Sequence, residues 1–187
     1  MRKFGVRNRI FYSFVGACLI LAIPLSATEE FRAKLLNKAG LFSERMINIR
    51  IKIESYTTPD EIKELQKIIA EQGSLAFMNT FQKINKGAIN FLSARGLNLR
   101  ILAAVTNPTE KGREIMLVME RQSWDTETTI RIDSHYLYMV MVLNIDEKGK
   151  GNGKLYKGAE FSLGGEKLLE ITDAHPPMPL SGVRQRK

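Results

Sequence analysis

The chain of 187 residues has one cysteine, Cys18, one tryptophan, Trp124, and two histidines, His135 and His175. Cys18 falls inside an N-terminal segment that reads as a signal, so a processed chain carries no thiol. That excludes disulfides, a thiolate nucleophile and a cysteine metal site. The two histidines are far apart in sequence, and neither sits in an H-E-x-x-H or paired spacing, so no metal centre is expected. No G-x-S-x-G elbow and no G-x-x-x-x-G-K-S/T loop is present, which removes the common serine-hydrolase and nucleotide-loop signatures. No apolar run reaches the length of a comfortable membrane span. Charge of one sign is not in great excess either. The formal net charge is +8, but Arg2, Lys3, Arg7 and Arg9 lie in the signal-like segment, and without those four cations it falls to +4. The sequence shows no concentrated basic cluster of the kind nucleic-acid binding uses, so no nucleic-acid partner is expected.

What is present begins with export. A basic start, MRKFGVRNR, precedes the apolar run Ile10–Leu25, and Leu25-Ser26-Ala27 supplies small residues at a cleavage position. This order is that of a secretory signal peptide cut between Ala27 and Thr28. The domain division is therefore 1–27 as signal peptide and 28–187 as one domain, exported to the periplasm or secreted. The alternatives are an uncleaved anchor through residues 10–25 and, more remotely, a lipoprotein signal at Cys18. The membrane is a partner only if the segment is kept.

The clearest structural stretch is 45–73. Ile47, Ile49, Ile51 and Ile53 alternate with Asn48, Arg50, Lys52 and Glu54, the period of a half-buried strand. Thr58-Pro59-Asp60-Glu61 is a capping box with proline at the first helical position. Ile62, Leu65, Ile68 and Ile69 give the helix an apolar stripe, and Gly73 ends it. A second short helix follows, with Leu75, Met78, Phe81 and Ile84 on its face. Residues 28–40 read as a strand pairing with 46–55.

The second half is strand and turn. Leu97–Val105 and Arg113–Arg121 flank a turn at 107–112. Ile130–Ile132 reads as a short strand. Tyr136–Ile145 is apolar on both faces and is expected at the centre of the sheet. DEKGKGNG at 146–153 is a turn: Lys148 and Lys150 replace the acids of a calcium loop. Gly164-Gly165 joins a hairpin, and the proline-bearing tail from His175 is expected along an edge. Together these predict an α+β fold: an antiparallel sheet of about six to seven strands with two short helices packed on one face.

The strand ending IESYTT, the capped helix DEIKELQKIIAEQG, the segments GREIMLVMER, YLYMVMVLNIDEKGKGNGKL and EKLLEI, and the final PLSGVR resemble an uncharacterised family of small exported bacterial proteins. The resemblance covers most of residues 30–186 and departs at Trp124–Ser134. It implies export, one domain and an early hairpin, and it carries no catalytic residues.

Asp133-Ser134-His135 holds the residue types of a hydrolase triad, but neighbours on an extended chain point to opposite faces and do not converge. Asp146, Glu160, Glu166, Glu170 and Asp173 are spread over different segments, with no pair fixed by local spacing. Trp124, Tyr136 and Tyr138 read as core aromatics, with the lining of a pocket as the alternative. No catalytic residue, metal ligand or cofactor is therefore assigned, and the ligand-binding residues stay unknown. The expected function is a non-catalytic binding or structural module of the bacterial envelope. Its partner is an unidentified ligand or protein. The alternatives are a hydrolase with a site assembled from distant residues and a partner-binding module using an exposed sheet edge.

Overall fold

The computed structural model describes residues 28–39, 43–92, 97–120, 136–165 and 167–186. The signal segment with Cys18 and Ala27, the stretch Trp124–His135 and Glu166 lie outside the described residues.

Nine strands and one helix follow in the order β1 (Glu29–Ala39), β2 (Ser43–Ile53), α1 (Pro59–Phe81), β3 (Gly87–Phe91), β4 (Leu97–Thr109), β5 (Gly112–Glu120), β6 (Tyr138–Asp146), β7 (Lys150–Leu163), β8 (Leu169–Ala174) and β9 (Met178–Arg186). All pairings are antiparallel. The sheet runs β6-β5-β4-β3-β2-β1-β9-β7-β8, and a further β6–β7 pairing closes it. Eight strands thus form a barrel, and β8 stands outside it, paired to the far end of β7.

The expected α+β sheet with two helices is therefore wrong: the fold is a closed β-barrel with a single helix. Two features account for the difference. The tail does not lie along an edge. As β9 it pairs Glu30 with Arg186 on one side and Lys150 with Arg184 on the other, so it supplies the closing strand. The two short helices are one helix across a kink, where Gly73 takes φ 83 and ψ 177. That backbone state is open to glycine and strained for any residue with a Cβ. It also rotates the second half of α1: Phe77 is buried, while Leu75, expected on the apolar face, is 70% exposed.

The barrel interior is a packed core. Phe31, Leu35, Ile49, Ile51, Ile53, Ile89, Phe91, Leu117, Met119, Met139, Met141 and Leu143 all point inward and are buried. An eight-stranded barrel is just wide enough for its own side chains to fill. Its sidedness, apolar within and charged without on β1, β2 and β9, is the reverse of a barrel whose outer wall faces lipid acyl chains. No helix among the described residues is long and apolar enough to cross a membrane.

A second core lies outside the barrel. Tyr138, Val140 and Val142 of β6 and Met116 and Val118 of β5 face outward and are covered by Ile62, Leu65, Phe77 and Phe81 of α1 and Leu169 of β8. This explains why β6 is apolar on both faces: one faces the interior and the other faces the helix layer. Each of the four helix side chains contributes about 1.5–3 kcal/mol by burial.

A bulge positions α1. Leu102 is an extra residue where the β4–β5 register shifts between Ile101 and Ala103, so Leu102, Ala103 and Val105 face the helix while Ala104 turns inward. At the bulge the Thr57 amide donates to the Ala104 carbonyl at 2.7 Å, and the Ala104 amide donates to Thr57 Oγ1 at 3.0 Å. The helix starts just beyond, at a complete capping box between Thr58 and Glu61. Glu61 Oε1 also accepts from Lys86 Nζ at 2.6 Å, a lysine side chain only 9% exposed. Burial pushes the Glu61 carboxyl up, but Lys86 and the Thr58 amide outweigh it and hold it below its ordinary value.

Candidate functional site

Two places concentrate polar groups against the apolar cores. The first is one mouth of the barrel. The inward phase of β1 puts Glu29 beside Phe31, and that of β5 puts Arg113 beside Ile115. Arg113 donates to both Glu29 oxygens at 3.0 and 2.9 Å, and Tyr56 Oη donates to Glu29 Oε2 at 2.8 Å. The guanidinium also reaches Gln185 Oε1 at 3.5 Å and stands 6.0 Å from the Phe31 ring centroid. Burial, and then Glu29, push the Tyr56 phenol far above its ordinary value. Burial opposes the charge of Arg113, but the bond to Glu29 outweighs it. Every charged member of this cluster has its partner, so it acts as a plug for the barrel mouth.

The second place is a groove of about 420 Å³ between α1 and the outer face of β6, β7 and β8. Ile69 and Phe77 of α1 form one wall on either side of the Gly73 kink. Tyr138 and Ala159 form the floor, Leu137 stands at the entrance, and Phe161, Leu163 and Thr172 form the other wall, with Glu160 and Ser162 at the rim. Gln66 Nε2 donates to the Leu163 carbonyl at 2.7 Å and ties the helix to the far wall. Aromatic rings pack against one another beneath the groove. Tyr138 meets Phe81 edge-on at 5.5 Å and Phe161 edge-on at 5.2 Å, and Phe81 stacks on Phe77 at 5.0 Å.

Tyr138 distinguishes the groove from the plug. The residue is 8% exposed, and its hydroxyl has no hydrogen-bond partner among the described residues. A buried hydroxyl without a partner costs about 1–3 kcal/mol. Burial, and then the Glu120 carboxylate, push its pKa up. It therefore stays a neutral donor across the physiological range. Ile69 and Leu137, 40% and 45% exposed, leave apolar surface open at the entrance. Its size and mostly apolar lining, with the few polar side chains Glu160, Ser162 and Thr172 beside it, are the usual attributes of a small-molecule site.

Of the residues that the sequence singles out, Tyr138 lines the groove, whereas Tyr136 is buried elsewhere: its hydroxyl donates to Asp173 Oδ2 at 2.7 Å, and its ring meets His175 at 4.7 Å. Glu160 is at the groove rim, Asp146 accepts from the Lys148 and Lys150 amides in the β6–β7 turn, and Glu170 lies on β8 beside a separate shallow pocket. The β7–β8 pairing sets Glu160 across from Asp173, the carboxylate that accepts from Tyr136, while Asp146 and Glu170 stand apart from that pair. No group of three or more His, Cys, Asp or Glu among the described residues is placed to hold a metal. Asp133, Ser134, His135, Trp124 and Glu166 lie outside the described residues, and Thr28 of the expected cleavage pair is the first residue described. The residue that sequence reasoning undervalues is Tyr138. Its position in an apolar strand points to the core, and only the tertiary packing shows that the hydroxyl is left without a partner. Comparisons of the chain with protein-family models, curated proteins and solved structures find no match.

Proposed function

We propose that the protein is an exported binding module whose groove between α1 and β6–β8 takes a small, neutral, mostly apolar molecule carrying one hydrogen-bond acceptor. The buried, unpartnered hydroxyl of Tyr138, a residue of the groove lining, carries this reading: its oxygen is covered in the ligand-free protein, so a ligand that shifts the side chains over it would gain the bond that the protein lacks. Neutrality follows from the mostly apolar lining, where a charge would lose its hydration, and the Glu160 carboxylate at the rim further disfavours an anion. Export rests on the N-terminal segment, with an envelope or extracellular location following from it. Binding without catalysis is favoured because the lining is mostly apolar, and no hydrogen bond links its Ser162 or Thr172 hydroxyl to a base among the described residues.

The test uses two naphthalenes of similar shape. Titration calorimetry should show 2-acetylnaphthalene binding about tenfold more tightly than 2-ethylnaphthalene, the worth of about one buried hydrogen bond. In Tyr138→Phe the two should bind alike. Ser162→Trp, at the exposed rim, should block both. Equal affinities in the unaltered protein, or an acceptor preference that survives Tyr138→Phe, would refute the assignment.

A further inference from the structure

The outer wall formed by β9, β1 and β2, together with the start of β7, carries like charges directly opposite one another. Arg184 lies across from Lys150 on one side and from Arg32 on the other, and Arg32 lies across from Arg50. Like charges opposed across a sheet repel and destabilise it. A bulge builds this arrangement. The β1–β9 register shifts between Arg32 and Lys34, so two β9 residues oppose Ala33, and one of them, Gly182, takes φ +60. The extra residue reverses the phase of β9, so Val183 faces the interior with Leu180 and Arg184 is sent outward. Carboxylates relieve only part of the row: Glu30 pairs with Arg50 at 3.2 Å and with Arg186 at 3.0 Å, and Glu54 pairs with Lys52 at 2.7 Å. Among the described residues no carboxylate pairs with Arg32, Lys34, Lys150 or Arg184, and all four are exposed. At one end of the same face two long apolar side chains stand in solvent, Met46 at 51% and Leu92 at 57% exposure. They share a surface depression of about 750 Å³ with Arg32, Lys34 and Arg184.

We infer that this face docks on the anionic surface of a lipid bilayer. The unpaired cations meet the headgroup phosphates, and Met46 and Leu92 sit at the boundary between headgroups and acyl chains. Charge complementarity alone would also suit a nucleic acid. The apolar pair decides between them, because cations beside exposed apolar tips fit an interface that offers both anionic headgroups and hydrocarbon, whereas a phosphodiester backbone offers nothing to Met46 or Leu92. This surface is separate from the Tyr138 groove, and the two proposals stand or fall independently.

Co-sedimentation of the full chain with phosphatidylcholine vesicles, with and without phosphatidylglycerol, tests the inference. Phosphatidylglycerol should strengthen binding, and the double variant Arg32→Gln/Arg184→Gln should lose about 30-fold on the anionic vesicles while binding phosphatidylcholine as before. Any contribution of the N-terminal apolar run is common to both proteins and cancels. Removing two members of a like-charged row does not cost stability, so an unchanged melting curve should accompany the loss. Met46→Asp should weaken the anionic binding as well, and Lys63→Gln/Lys67→Gln on the exposed side of α1 should leave it intact. Indifference of the unaltered protein to phosphatidylglycerol would overturn the inference, as would full anionic binding by the double variant. Displacement from the vesicles by duplex DNA at equal phosphate concentration would assign the face to nucleic acid instead.

Discussion

Replacing Tyr138 by phenylalanine should make the ligand-free protein more stable. The substitution keeps the ring, and with it the edge contacts to Phe81 and Phe161 at 5.5 and 5.2 Å. It removes only a hydroxyl that is buried and unpaired. Such a group costs about 1–3 kcal/mol, so the variant should gain about 1 kcal/mol even if the packing relaxes only partly. For a chain of this size that raises Tm by about 2–4 °C. Urea unfolding followed by circular dichroism should show a higher midpoint with an unchanged slope. An alkaline signature accompanies it. The folded-state pKa of Tyr138 is raised above the ordinary 10.0. The unfolded chain therefore ionises first, and the native tyrosine protein loses stability as pH rises through 10. The phenylalanine variant lacks this loss, so the gap between the two should widen there. A variant less stable than its parent by about 1 kcal/mol would show that the hydroxyl has a partner, and the argument for the groove would fail.

Three further outcomes follow from the frame. Thr58→Ala removes one half of a complete capping box and should cost about 1 kcal/mol in urea unfolding. Glu29→Gln leaves Arg113 facing the barrel mouth without its bidentate partner; the pair is partly exposed, so the cost is discounted from the fully buried case to about 2 kcal/mol, measured the same way. Glu61 is held below its ordinary pKa of 4.5 by Lys86 and the cap amide. Its stabilisation is therefore present above pH 4.5 and lost as pH falls through the folded value, so the stabilities of Glu61→Gln and the unaltered protein should converge in acid.

Local pattern carries much of this fold. The alternation of Ile49, Ile51 and Ile53, the cap at Thr58 and the doubly apolar β6 are all legible, because each follows from periodicity within one segment. Closure is not. It depends on Glu30 meeting Arg186, and nothing local to β1 or to the proline-bearing tail records that pairing. Without it, a barrel reads as an open sheet. The same long-range pairing hides the basic wall: the β1–β2 hairpin sets Arg32 across from Arg50, but only β9 between β1 and β7 adds Arg184 and Lys150 to the row. The i, i+2 pairs Arg32/Lys34, Arg50/Lys52 and Arg184/Arg186 are the available signal, since each puts two cations on one face of a strand. The groove is hidden for a different reason. Gly73 does break the helical backbone, as its local pattern indicates, but nothing local shows that the two segments stay together on the barrel so that Ile69 and Phe77 flank a gap lined in part by Tyr138.

The most direct test of the account is where an acceptor-bearing ligand binds. Titration of the isotope-labelled protein with 2-acetylnaphthalene, followed by amide and aromatic NMR shifts, should move Ile69, Phe77, Tyr138, Phe161 and Thr172 together and leave the interior residues Phe31, Ile51 and Leu143 still. Shifts confined to the barrel mouth around Glu29 and Arg113, or no saturable shift at Tyr138, would contradict it.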